Sequence, residues 1–99
     1  MLKQTIFAMA ALCGALAAPL AMAGADCPAN PKDQWMTESA FQKKAVNDLG
    51  YVIYKFKVDG ECYEIYGKAP KEGDANTLEK VEAYFNTATG EVVKKKVED

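Results

Sequence analysis

Phe41, Ala45 and Leu49 recur at every fourth position, and Val46 widens the stripe they make. That spacing puts them on one face of a helix, so residues 37–49 are predicted to form an amphipathic helix with one buried side. Thr37 stands where an N-cap belongs. Ser39 and Gln42 have capping-box spacing one register later, and Gly50 is placed to end the helix in a left-handed conformation. The pattern then changes to alternation. Residues 51–58 (YVIYKFKV) are rich in β-branched and aromatic side chains, Asp59-Gly60 is a strong hairpin signal, and residues 61–67 return as a second strand. A turn at Asp59-Gly60 sets Val58 opposite Glu61, Phe56 opposite Tyr63, Tyr54 opposite Ile65 and Val52 opposite Gly67 on one face, which is assigned to the helix. The other face then carries Lys57 opposite Cys62, Lys55 opposite Glu64 and Ile53 opposite Tyr66.

Residues 68–77 (KAPKEGDANT) are polar and contain Pro70 and Gly73, and they read as a loop. A second hairpin follows, with strands over 78–86 and 91–97 around a Thr87–Gly90 turn. Its register pairs Phe85 with Val93 and Val81 with Val97 toward the core. Tyr84 with Lys94 and Glu82 with Lys96 point away from it. The expected fold is therefore α+β, one N-terminal helix packed on a four-stranded antiparallel β-meander. Residues 37–97 form the domain, and residues 24–36, with two prolines and no periodicity, form an extended arm ahead of it.

The first 23 residues belong to no such pattern. Lys3 precedes an almost wholly apolar run from Thr5 to Leu20, then the small-residue sites Ala21-Met22-Ala23 and Ala23-Gly24-Ala25. Charge, apolar run and cleavage site in that order predict a signal peptide over residues 1–23, cut after Ala23 or Ala25. Bulky Leu12 directly before Cys13 argues against a lipidation site. The expected location is the bacterial periplasm, with no membrane insertion after cleavage. Two cysteines remain, Cys27 and Cys62, and an even pair in an exported chain predicts a disulfide between the arm and the second strand.

Composition narrows the chemistry. The chain has no histidine, no arginine and a formal net charge of −2, so it offers no basic footprint for nucleic acid. Its single serine, Ser39, reads as part of a helix start, and Glu64 is accounted for by a cross-strand lysine. Neither catalytic residues, nor a metal site, nor a cofactor is expected, and the chain is read as a binding protein rather than an enzyme.

A helix ending in Gly50-Tyr51, a strand, Asp59-Gly60, Cys62-Tyr63-Glu64-Ile65, and then Val81-Glu82-Ala83-Tyr84-Phe85 leading to Thr89-Gly90-Glu91-Val92-Val93 resemble a PepSY-type domain. The resemblance runs over about residues 33–97. It departs at Asn86, where an Asp is usual, and in a longer loop at 68–77. It implies a small extracytoplasmic α+β module of the kind found in propeptides of secreted metallopeptidases and in stand-alone periplasmic proteins. Modulation of peptidases is the role such modules are proposed to have, and the resemblance carries no catalytic residue set.

By the derived register the sheet face away from the helix bears Tyr51, Ile53, Tyr66 and Tyr84 among Lys55, Glu64 and Lys94. Aromatic and aliphatic groups ringed by charge suit a protein-binding surface, and these four residues are the candidate binding face. A bond from Cys27 to Cys62 lays the arm, Trp35 included, over part of it. The expected partner is an envelope protein or peptide, with strand addition at a sheet edge as a further mode. The competing readings are a self-associating, dimeric envelope protein and a small-ligand sensor using carboxylates such as Glu72 and Asp74.

Overall fold

The computed structural model describes residues 24–98, and the expected signal peptide lies outside them. A 3-10 turn at Lys32–Gln34 leads to one helix, α1 (Glu38–Asn47). Four strands follow: β1 (Val52–Asp59), β2 (Cys62–Lys71), β3 (Asp74–Asn86) and β4 (Val92–Val97). They form one antiparallel sheet in the order β1-β2-β3-β4. The α+β class and the meander are as predicted. The helix precedes the sheet within the described residues; its standing as the first element of the whole chain concerns residues outside them.

Local signals set the ends of α1. The Thr37 hydroxyl accepts from the Ala40 amide at 3.1 Å, which satisfies one of the free donors of the first turn. Ser39 falls inside the helix, so the later capping box does not form. At the other end Gly50 has φ 75°, and the Tyr51 amide donates to the Ala45 carbonyl at 3.0 Å. Phe41 and Ala45, both fully buried, drive the helix onto Tyr63, Ile65, Ala69, Val81, Ala83 and Phe85. The Phe41 ring lies 4.9 Å from the centroids of both Tyr63 and Phe85.

The first hairpin keeps its predicted faces but slides by two residues. The loop is Gly60-Glu61, closed by Asp59 opposite Cys62, with Gly60 at φ 61°. Positive φ at the first loop position is what a primed hairpin turn needs, and glycine supplies it without strain. Val58 now meets Tyr63, Phe56 meets Ile65, and Lys57 rather than Lys55 meets Glu64. A bulge between Ile53 and Lys55 then reverses the outer part of β1. It turns Ile53 toward the core and leaves Tyr54, expected inside against Ile65, 61% exposed. Gly67 makes the bulge sterically feasible, because a Cβ there would collide with the Val52 carbonyl oxygen.

Residues 68–77 are not a loop. β2 runs on to Lys71, turns at Glu72-Gly73 with Gly73 at φ 83°, and β3 starts at Asp74. The reading failed because this end of the hairpin is largely solvated, so no alternation marks it. Pro70 fits since β1 reaches only Lys68, which leaves β2 locally an edge. The second hairpin has the predicted register from Val81–Val97 to Tyr84–Lys94, after which a bulge pairs Phe85 with Val92 instead of Val93. Gly90, at φ 76°, closes that turn, and Asn86 Oδ1 accepts from the Ala88 amide at 2.8 Å and the Thr89 amide at 3.2 Å. Asparagine thus supplies the acceptor here without a charge.

Candidate functional site

The predicted disulfide is present. Cys27 and Cys62 are bonded, and the closed loop spans 35 positions. Because Cys62 points away from the helix, the bond draws residues 24–27 onto the far face of the sheet. Lys94 donates to the Gly24 carbonyl at 2.8 Å. Gly24 lies so close over Tyr84 that a Cβ there would overlap the phenol. The arm then rounds the end of the sheet, where Asn30 donates to Asn86 Oδ1 at 2.9 Å and to Thr87 Oγ1 at 3.2 Å. Trp35, expected on the far face, ends up on the helix side, edge-on to Tyr63 with ring centroids 5.5 Å apart. Its indole nitrogen donates to the Asn30 carbonyl.

Of the four residues read as a binding face, the structure leaves one there in partial exposure. Tyr51 is 6% exposed and sits in the core against Phe85, because the helix terminus at Gly50 delivers it inward ahead of β1. Ile53 is turned to the helix side by the bulge described above. Tyr84 is on the far face but 5% exposed under the arm. Tyr66 remains half-buried beneath Lys55 and Lys57, whose ammonium groups each lie 5.8 Å from its ring centroid.

Around Tyr66 and Tyr84 the sheet builds a square of two tyrosines and two carboxylates. Glu64 faces Tyr84 across β2 and β3, and Tyr66 faces Glu82. Tyr84 donates to Glu82 Oε2 at 2.6 Å. Glu64 is 1% exposed, and neither of its oxygens has a hydrogen-bond partner among the described residues. Lys57, itself half exposed, approaches it only to 3.8 Å. Burial, and then the neighbouring Glu82, push the Glu64 carboxyl above the ordinary carboxylate range. Glu82 is held down at about 2, first by Glu64 and then by the Tyr84 hydroxyl. The pair titrates as a unit, burial favouring the neutral form of Glu64 and the Tyr84 hydroxyl favouring the ionised form of Glu82.

This pair gives a pH signature. A group whose pKa is raised on folding stabilises the fold below its unfolded value and loses that contribution as pH rises through the folded value. Glu82, lowered on folding, contributes above its unfolded value and loses it only as pH falls toward about 2. Glu64→Gln keeps a neutral group of the same shape at every pH. Its melting temperature, relative to wild type, is expected to climb as pH rises from about 4, the unfolded carboxylate value, through the raised folded one. Thermal unfolding of both proteins across that window checks it; two parallel curves would show that Glu64 does not titrate with folding.

A second surface, which the sequence did not single out, lies on the helix side. α1 meets β1 through Phe41, whose ring lies 5.9 Å from that of Phe56, and a groove opens between the helix flank and Ile53. Glu38, Ser39, Gln42, Lys43, Val46 and Asn47 form one wall of an open groove of about 810 Å³, and Ile53 lines it from β1. Beside the groove β1 pairs only with β2, so its outer backbone edge has no partner within the sheet. The opposite edge, on β4, carries the consecutive lysines 94–96, which guard it by charge. Asp74, weighed as a ligand for a small cation, is instead used locally, accepting from the Thr77 hydroxyl at 2.6 Å.

Comparison with known proteins bears on what such a surface is for. No curated protein and no solved structure matches the chain significantly. One family model, described as peptidase propeptide and YPEB domain, matches residues 5–96. That match starts within the stretch read as a signal peptide and extends almost to the end of β4. Spanning nearly the whole sequence, it shows that the chain belongs to the PepSY family.

Proposed function

We propose that this protein is an exported, non-catalytic regulatory module that binds an extended segment of an envelope protein, such as a peptidase, along the outer edge of β1. The observation that carries this reading is the open backbone edge of β1 running beside the groove against α1. An extended chain docked between a helix and an edge strand gains main-chain hydrogen bonds from the strand, while alternate side chains enter the groove. The family, described by peptidase propeptides, supports a partner of this kind. The apolar leader followed by small-residue sites and the Cys27–Cys62 bond favour action in an oxidising compartment outside the cytoplasm.

Affinity capture from an envelope extract tests it, using wild type, Val46→Lys and Tyr66→Ala. Val46 is exposed on the groove wall, so a lysine there obstructs the groove without touching the core. The reading predicts a partner that is lost with Val46→Lys and kept with Tyr66→Ala. The same proteins captured by all three would contradict it, and loss with Tyr66→Ala alone would move the site to the far face.

A further inference from the structure

We infer that the segment taken up by β1 alternates apolar and acidic residues; this rests on the reading of β1 as the docking edge. The bulge between Ile53 and Lys55 ends regular pairing there, so an added strand has Lys55–Asp59 to run along. Side chains alternate across that stretch. Phe56 and Val58 point to the helix side, the side on which Val46 and Ile53 line the groove. Lys55 and Lys57 point to the far side and stand exposed above Tyr66.

A neighbouring strand shares these faces residue by residue. Its members opposite Phe56 and Val58 meet an apolar floor, and those opposite Lys55 and Lys57 meet two cations. Opposite charges directly across a pair of strands attract and like charges repel, so the second set is acidic. Asp59 closes the stretch, so the residue facing it is neutral or basic. Lys57 is only weakly committed elsewhere, at 3.8 Å from Glu64, and Lys55 makes no ion pair among the described residues.

A second copy of the chain fits this edge only in part. Antiparallel overlap of two β1 strands centred on Phe56 sets Lys55 against Lys57 twice; overlap centred on Lys57 sets Lys55 against Asp59 twice but Lys57 against itself, and no antiparallel register within Lys55–Asp59 gives both lysines an acid. A different chain with acids at both alternate positions satisfies the two together.

Labelled octapeptides test this by fluorescence anisotropy against the full domain with its disulfide intact. One alternates apolar residues with glutamate, one has lysine for each glutamate, and one carries the same residues with all glutamates at one end. The alternating acidic peptide is expected to bind roughly tenfold more tightly than the lysine peptide, an advantage that shrinks with added salt. Lys55→Glu is expected to reduce or reverse the preference, and Val46→Lys to weaken the alternating peptides in general. Equal binding of acidic and lysine peptides, still sensitive to Val46→Lys, would overturn the acidic pattern while leaving β1 as the docking edge. Peptide binding indifferent to both substitutions would overturn the docking edge itself. Sedimentation showing a dimer that Lys55→Glu strengthens would overturn the inference in favour of a second copy.

Discussion

Replacing Cys27 and Cys62 together by alanine is expected to lower unfolding stability by roughly 3–4 kcal/mol, the value for opening a loop of this size in the chain-entropy account. The closed loop spans 35 positions, close to half of the residues that fold. A domain this small buries too little apolar surface to be indifferent to such a loss, since total stabilities lie at about 5–15 kcal/mol. The effect has a local part as well. Without the bond, residues 24–27 keep to the sheet only by contacts such as the one from Lys94 to the Gly24 carbonyl. Tyr84 and the Glu64–Glu82 pair then become open to solvent, while Trp35 stays in place through Asn30 and Tyr63. Urea unfolding of the double variant, or of wild type under reductant, measures the loss. Tryptophan fluorescence of the folded state is expected to change little. A variant as stable as wild type would mean that the bond is incidental to the fold.

Phe41→Ala is expected to be at least as damaging, at about 3–5 kcal/mol for a buried aromatic side chain cut to a methyl. Phe41 is fully buried, and its ring is within 6 Å of the ring centroids of Phe56, Tyr63 and Phe85. It is the main wedge by which the single helix grips the sheet, so the resulting cavity has few neighbours able to collapse into it. Val46→Ala, on the same helix but exposed, is expected to stay within about 0.5 kcal/mol. Denaturant melts of the two variants side by side give the comparison. Equal losses would show that the helix is held by something other than its Phe41 face.

The parts of the fold that could be read in advance were those written in local chemistry. Thr37 and Gly50 bound α1 by their own side-chain and backbone properties, and Gly90 sets the last turn. The disulfide followed from there being two cysteines in an exported chain. What escaped depended on contacts across the sheet. A turn of Gly60-Glu61 in place of Asp59-Gly60 preserves every face, so alternation alone cannot separate the two registers. The bulge at Tyr54 answers to Gly67, thirteen positions later in the chain, which leaves room for the Val52 carbonyl where any side chain would block it. That one irregularity removed Ile53 from the predicted face and helped to make the groove. Tyr51 was assigned by strand parity although it precedes the strand, and its true place is fixed by the helix terminus. The groove had no sequence signature, because Glu38 and Gln42 look like an ordinary solvated helix flank and Val46 like an extension of the buried stripe, although it is 45% exposed on the groove wall.

Amide hydrogen exchange, followed residue by residue with and without the alternating acidic peptide, tests the docking edge most directly. Strand addition predicts that slowing concentrates in β1 between Lys55 and Asp59, with the β4 amides unchanged. Slowing at β4 or under the arm around Tyr84, with β1 exchanging as fast as in the free protein, would contradict it.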